Sequence, residues 1–448
     1  MKVAKFGGSS VANGTQIKKV AEIIKQDQKR KFVVVSAPGK RYADDVKITD
    51  LLIAMGETYI KGEQYEGYYA DVLARFKEII NELELDLALY AEIEKSIKTV
   101  LTEDLPDGMK LDRIKALGED NSAKIVSSYL CKIGLNARYI NPKEAGIIVS
   151  DDPGNAQILP ESFDKIYQLR DVDGILVIPG FFGYTKEGKL VTFSRGGSDI
   201  TGAIIAAGVK AEMYENFTDV NSVYTVNPAI VNNPKEISVL TYREMRELSY
   251  AGFSVFHDEA LIPAIKEKIP ICIKNTNNPK AKGTFVVAER ELDDHVVSGI
   301  ASDSGFVIIY VSKYLMNREI GFGRKLLQIL EDERISFEHA PSGIDDMSVI
   351  IRERNLPPEK EEIVLRRIKE ELHPDTVSLQ RGIALIMVVG EGLVNTIGVA
   401  KQAVSAISNA KINIEMINQG SSEVSMMFGI KEEDLEPAVR SLYQSFFE

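Results

Sequence analysis

Met1–Phe6 (MKVAKF) runs into Gly7-Gly8-Ser9-Ser10, then into Gln16–Lys25 (QIKKVAEIIK), then into Lys31–Val35 (KFVVV), and this order decides the fold class. The first and last stretches are short apolar runs with strand character. The middle one sets Ile17, Val20, Ile23 and Ile24 at helical spacing. Strand, glycine turn, amphipathic helix and a second strand apolar along its whole length make the pattern of a mostly parallel sheet covered on both faces. Ile175–Ile178 and Ile271–Lys274 read as later strands of that sheet. Asp50–Leu117, between the second and third strands, is long, charged and helical in pattern, and reads as a helical excursion from the sheet.

The sheet-like region ends near Arg290, and Arg290–His295 (RELDDH) is polar enough to be a linker. Beyond it the pattern repeats. Phe306–Ser312 (strand), Arg324–Leu330 (helix), Ser336–His339 and Met347–Arg352 (strands), Glu361–Leu372 (helix) and Thr376–Gln380 (strand) form one βαββαβ unit. Ile383–Val389, Ile397–Ala410, Ile412–Ile417, Val424–Ile430 and Leu435–Phe447 form a second unit that is one strand short. A sheet lacking its edge strand leaves backbone groups unpaired, so Val296–Ala301 is expected to pair into the second unit. The resulting division is 1–290, then 303–380, then 296–302 together with 381–448.

The chain has 448 residues and a formal net charge of -12. Several domains are expected. An acidic chain is a poor general nucleic-acid binder, which needs a basic face; a local positive pocket for a nucleotide remains compatible with it. Two cysteines, Cys131 and Cys272, lie far apart and suit free thiols in a reducing cytoplasm. The four histidines (257, 295, 339 and 373) have no metal-ligand spacing, so no protein-held metal is expected. The N-terminus reaches Gly and Ser too soon for a signal-peptide core, and no stretch is long and apolar enough to span a membrane.

Four segments carry candidate chemistry. In Lys5-Phe6-Gly7-Gly8-Ser9-Ser10 the glycines let backbone N–H groups approach an anion, the following helix N-terminus adds partial positive charge, and Lys5 adds a full one. A tight turn with a surface lysine explains the same residues equally well. The sequence is not a P-loop: the G-x-x-x-x-G-K match, Gly183–Lys189, is followed by Leu190 and reads as a hairpin turn. Ser194-Arg195-Gly196-Gly197-Ser198-Asp199 precedes a short helix, Ile200–Ala207. Ser198 or Asp199 as a cap does not account for Arg-Gly-Gly, which together suit a carboxylate or phosphate. Asn216–Pro228 (NFTDVNSVYTVNP) is compatible with a nucleotide base and ribose, although on pattern alone a loop is the stronger reading. Gly118-Glu119-Asp120 opens a helical stretch, Asn121–Cys131, where one acid complements the helix dipole.

KFGGSS at Lys5, GFFG at Gly180, SRGGSD at Ser194 and FTDVNSVYTVNP at Phe217, in this order and followed by two βαββαβ units, resemble the aspartokinases of the amino-acid kinase superfamily. Ile412–Met427 (INIEMINQGSSEVSMM) is similar to that family's second ACT domain. The resemblance covers essentially the whole chain and is to the monofunctional type. It implies a three-layer α/β/α kinase domain and two ferredoxin-like ACT domains. It implies transfer of the γ-phosphoryl group of ATP to the side-chain carboxylate of L-aspartate, the first step toward lysine, threonine and methionine. Lys5, Phe6, Gly7, Gly8 and Ser9 would meet the ATP phosphates, with Thr218, Asp219 and Tyr224 lining the nucleotide. Thr49, Glu119 and Arg195 would hold aspartate. Ser36, Gly196, Gly197 and Ser198 would lie near the reacting groups, and Lys5 and Asp199 would be catalytic. Mg²⁺ would arrive on the nucleotide phosphates. Lysine, alone or with threonine, would act as feedback effector at Met316, Gly321, Phe322, Ser336, Phe337, Glu338 and Asp346, and the ACT domains would join subunits into a homodimer or larger assembly. The chain departs from the family pattern at Asn221, Ser222, Ala229 and Asn277. Two alternatives stay open: a sibling kinase acting on glutamate, acetylglutamate or a nucleoside monophosphate, and a catalytically idle amino-acid sensor.

Overall fold

A computed structural model describes residues 1–194, 196–253, 258–291, 295–420, 422 and 424–448. Its strands in the first 290 residues are β1 (Lys2–Phe6), β2 (Arg30–Val35), β3 (Ala137–Tyr139), β4 (Ile175–Pro179), β5 (Phe182–Tyr184), β6 (Leu190–Thr192), β7 (Met213–Thr218), β8 (Val223–Tyr224), β9 (Glu236–Ile237), β10 (Val239–Thr241), β11 (Ile271–Asn275) and β12 (Thr284–Val287). Eight of them form one sheet in the order β10-β12-β11-β7-β1-β2-β4-β3, parallel except where β11 meets β12. The apolar runs KVAKF and KFVVV take neighbouring central places, as buried parallel strands require. β5 and β6 form a separate antiparallel hairpin whose turn, Thr185–Lys189, is the P-loop-like stretch.

Alternation along β1 splits the layers. Ala4 and Phe6 enter an apolar cluster with α1 (Gly14–Gln26), α2 (Ile48–Ile60), α3 (Glu66–Glu82), α4 (Leu87–Thr102) and α5 (Asp107–Lys132). Of those helices α3 and α4 lie within the predicted helical excursion, and α2 and α5 overlap its two ends. Phe217 of β7 stacks on Phe6 at 4.8 Å between ring centroids. Lys5 points the other way, to α8 (Gly197–Gly208), which follows the short helices α6 (Pro142–Ala145) and α7 (Glu161–Tyr167). α9 (Tyr242–Tyr250) and α10 (Ile262–Lys266) come before β11. The result is the three-layer arrangement the resemblance implied.

The two units expected in the C-terminal region share a single sheet. β13 (Gly299–Ser312), β14 (Asp346–Arg352), β15 (Thr376–Val389), β16 (Met416–Asn418) and β17 (Ser425–Lys431) make one antiparallel sheet, ordered β14-β13-β15-β17-β16. β13 and β15 each run 14 residues. Phe306–Ser312 pairs with β14 and with the first half of β15, while Gly299–Asp303 pairs with Leu385–Val389. The predicted breaks, near Gly305 and Gly382, are positive-φ glycines inside continuous strands rather than strand ends. Ser336–His339 is not a strand: His339 makes only an isolated bridge to Ile350. Likewise the strand expected at Ile412–Ile417 shrinks to Met416–Asn418. Helices α11 (Phe322–Asp332) and α12 (Pro358–Leu372) pack one apolar cluster, and α13 (Val399–Asn409) and α14 (Leu435–Phe447) pack the other.

Contacts divide the chain into Met1–Val223 with Glu236–Met245 and Ser254–Arg290, and Tyr224–Lys235 with Arg246–Phe253 and Glu291–Glu448. Two segments inside 1–290 therefore group with the C-terminal unit. Val226 and Ile230 enter its core beside Val297, Leu442 and Tyr443. Among the described residues no helix is long and apolar enough to cross a membrane.

Candidate active site

β1 lies between β7 on one side and β2 on the other, where the winding of the sheet reverses. In an open parallel sheet such a point leaves a crevice at the carboxyl ends of the strands, the usual place for a ligand. Gly7 leaves β1 extended, with its N–H donating to Phe217 O at 3.0 Å. Gly8 then passes directly under Gly39 of the β2–α2 loop: Gly39 N donates to Gly8 O at 2.8 Å, and a Cβ on Gly39 would sit 2.6 Å from Gly8 C. Only glycine fits at that crossing. Ser10 Oγ and Thr276 Oγ1, 2.6 Å apart, tie the turn to the end of β11.

Lys5 Nζ lies 2.6 Å from Asp199 Oδ1, both largely shielded from solvent. The same oxygen accepts from Asn216 Nδ2 at 2.6 Å, and Tyr214 OH donates to Asp199 O at 3.2 Å. A buried ion pair needs such added hydrogen bonds to offset desolvation. Asp199 is not a helix cap. Gly196, in the left-handed region at φ 77°, takes that position, and no side chain caps α8. Gly197 is forced small by Phe181 and Phe193, and Gly180 by Ser198, whose Oγ would lie 2.6 Å from an added Cβ. These contacts bring the ends of β4, β1 and α8 together.

Glu119 corrects the reading of its own segment. α5 begins at Asp107, so Glu119 lies deep inside a helix and does not complement an N-terminal dipole. Gly118 is mid-helix because Ala37 is pressed against it: an added Cβ would stand 2.7 Å from Ala37 Cβ. Burial pushes the Glu119 carboxyl up to about 8, against an ordinary 4.5. Hydrogen bonds from the N–H groups of Ala37 and of Glu119 itself, and the Lys5 charge, oppose this only in part. Oε2 has no hydrogen-bond partner among the described residues. A buried carboxylate with a vacant oxygen, beside a cation already engaged elsewhere, suits a ligand ammonium. Asp112, on the same helix two turns earlier, accepts from Thr192 N at 2.9 Å and Gly154 N at 3.0 Å, and so holds the strand that leads into Ser194.

Ser36 N donates to Phe6 O at 3.1 Å, and half-buried Thr49 is in the first turn of α2. Thr218 ends β7; Asp219 beyond it is exposed, and its carbonyl accepts from Asn275 Nδ2 at 3.2 Å. Tyr224 belongs to the other contact-defined unit. Arg195, expected to receive a carboxylate, lies outside the described residues. Asn216 and Gly39 were not singled out from the sequence. An amide between buried residues of a strand was the available signal for Asn216, and Gly39 offered none beyond a Pro-Gly turn.

The expected effector residues split in two. Met316, Gly321 and Phe322 follow the end of β13, and Asp346 opens β14 opposite Ser312. Ser336, Phe337 and Glu338 lie farther along β14: Glu338 N donates to Ile350 O at 2.8 Å. Glu338 is already engaged, 3.3 Å from Arg352 Nε and accepting from Tyr250 OH. The Asp346 carboxylate has no such partner among the described residues.

Comparison with known proteins agrees with this architecture. A model of the amino acid kinase family matches residues 1–275, and an ACT domain model matches residues 386–446. The chain therefore belongs to the amino acid kinase family, carrying an ACT domain toward its C-terminal end. Within that family it is 56% identical to Aspartokinase 3 of Bacillus subtilis over 100% of this chain and 99% of that one. The aspartate kinase of Clostridium acetobutylicum superposes with a TM-score of 0.88 at 39% identity, covering both chains fully. Escherichia coli aspartokinase III, solved with aspartate and ADP, shares the fold over both full chains, with a TM-score of 0.82 at 24% identity.

Proposed function

We propose that this chain is a feedback-regulated aspartate kinase, transferring the γ-phosphoryl group of ATP to the β-carboxylate of L-aspartate to give 4-phospho-L-aspartate and ADP. The observation that carries it is the buried Glu119 carboxyl, with a vacant oxygen, next to the Lys5–Asp199 pair at the glycine turn. Full-length similarity to two aspartate kinases supports it.

The chemistry asks little of a base. A β-carboxylate has a pKa of about 4 and is ionised at neutral pH. The protein's work is to hold two anions in line and to offset the charge on the transferring group. Glu119 takes the substrate ammonium, Arg195 a carboxylate, and Ser36, Thr49, Gly196, Gly197 and Ser198 complete the aspartate side. Lys5, Phe6, Gly7, Gly8 and Ser9 meet the phosphates, and Thr218, Asp219 and Tyr224 the nucleoside. Asp199, itself held by a hydrogen bond from Asn216, keeps the Lys5 ammonium in place. Among the described residues no three His, Cys, Asp or Glu side chains are grouped as a metal cage. Mg²⁺ would arrive on phosphate oxygens and water and would supply charge neutralisation there.

Residues 1–290 act as the catalytic portion, and 303–380 and 296–302 with 381–448 as the regulatory pair. Lysine, alone or with threonine, is the effector; the assembly is a homodimer or larger, and the setting is cytoplasmic.

The test is ATP- and Mg²⁺-dependent acyl phosphate formation trapped with hydroxylamine, run with aspartate, glutamate and acetylglutamate, with and without lysine and threonine. Turnover confined to aspartate and suppressed by an effector is expected. Turnover on glutamate or acetylglutamate alone would replace the substrate. Effector binding with no turnover would make the chain a sensor.

A further inference from the structure

Helix α3 gives no residue to the site described above, yet two of its side chains reach the chain that leaves the glycine turn. Glu82 Oε2 accepts from Gly14 N at 2.6 Å, at the first residue of α1. Arg75, seven residues earlier and so on the same face of α3, is buried. Its Nη2 donates to Gly39 O at 2.8 Å and Ala12 O at 3.5 Å; its Nη1 donates to Asp45 Oδ2 at 2.8 Å and Val46 O at 3.1 Å. One guanidinium therefore joins both ends of the loop from Gly39 to Val46 to the chain leaving the glycine turn. Asp45 is held from its other side by Arg41, whose Nε is 2.9 Å from Oδ2 and whose Nη2 is 3.0 Å from Oδ1.

Gly39 is the point of transmission. Its carbonyl is fixed by Arg75 and its N–H by Gly8 O, and its Cα rests on backbone: an added Cβ would lie 2.6 Å from Gly8 C and 2.8 Å from Ser9 N. Backbone packed on backbone has no rotamer with which to absorb a shift, so a displaced Gly39 displaces Gly8 and Ser9.

We propose that Arg75 is a positioning residue for phosphoryl transfer, fixing through Gly39 the backbone of Gly8 and Ser9 against which the nucleotide phosphates bind. This rests on the reading of that turn as the phosphate cradle. The side chain must be arginine, because its fork serves acceptors in several directions and the single ammonium of lysine does not.

The experiment uses the full chain as wild type, Arg75→Met, Arg75→Lys and Gly39→Ala. It measures steady-state constants for ATP and aspartate, ADP affinity by calorimetry, and thermal melting. Arg75→Met is expected to lower kcat/KM for ATP about 10- to 100-fold, the scale of a misplacement near 1 Å. ADP binding weakens in parallel, while KM for aspartate stays within about twofold, well short of that effect. Arg75→Lys recovers part of the loss. Gly39→Ala reproduces the pattern without touching the ion cluster. A folded Arg75→Met protein with wild-type ATP constants and ADP affinity would overturn the proposal. So would a kcat that falls only with the unfolded fraction, because that is a purely structural role. Should Arg75→Met fail to fold, Arg75→Lys and Gly39→Ala are judged by the same criterion. Absence of aspartate turnover in the wild type would instead strike the functional reading, and ADP affinity would still report on the brace.

Discussion

Glu119 and Lys5 set the behaviour of the site at the scale of single residues. With its carboxyl raised to about 8, Glu119 is protonated in the ligand-free protein at neutral pH. An incoming ammonium needs the ionised form, so binding expels about one proton, and aspartate affinity falls about tenfold for each pH unit below 8. Aspartate KM measured from about pH 6 to 8 should show this slope, and Glu119→Gln should bind weakly with no slope; a flat wild-type profile would reject the assignment. Stability carries the opposite sign from an ordinary carboxylate. The native protein holds a proton that the unfolded chain has already released, so the Glu119 contribution to stability is greatest below pH 4.5 and falls by about 1.4 kcal/mol per unit up to about 8. Glu119→Gln should remove that decline in denaturant titrations of the ligand-free protein. Lys5→Ala should lower kcat by about 100-fold or more with little change in aspartate KM, since its charge matters most as the phosphoryl group transfers; a near-normal kcat would end that role.

Glycines decide how the elements meet. Gly180→Ala would drive a methyl group to 2.6 Å from Ser198 Oγ and 2.8 Å from Ser198 Cα. The strand and helix would have to part, at about 1–3 kcal/mol of stability, with activity lost beyond what the melting shift explains. A melting temperature and kcat equal to wild type would show that the contact is slack. At this scale the sequence was readable where local pattern and packing agree. The runs KVAKF and KFVVV are strands because they are short, β-prone and mostly apolar, and the turns after β1 and before α8 are marked by paired glycines. Pattern failed where packing overrides propensity. Gly118 suggested the start of a helix, yet α5 runs through it because Ala37 leaves no room for a side chain. Nor could Arg75 be singled out within a charged helical stretch, or Asp45 in the loop before it: they lie 30 residues apart and meet only after folding.

The C-terminal unit shows what was legible at the scale of whole domains. Its helices and its long strands were visible by period, but the joining of β13 and β15 into single strands was not, because positive-φ glycines look like strand ends in one dimension. Ser298 N donates to Val389 O at 2.7 Å, whereas Ile300 N donates to Thr225 O at 2.7 Å. Deleting residues 389–448 should therefore abolish hydrogen-exchange protection at Ser298 and leave Ile300 partly protected; equal protection at both would contradict the pairing. Effector response should follow the free carboxylate. Because Glu338 is held by Arg352 and Tyr250, Asp346→Asn should raise the half-inhibiting concentration of lysine more than Glu338→Gln does. The reverse ranking would mean that lysine displaces Arg352. The two long strands also bear on how such a chain changes over generations. A crossover that replaced only one of the two lobes would have to cut both strands in mid-course, leaving each parent's half to find its register against a stranger's. The lobes are thus expected to be inherited as one cassette, and a lineage that changes its feedback signal is expected to do so by point substitution at the ends of β13 and β14, not by trading a lobe.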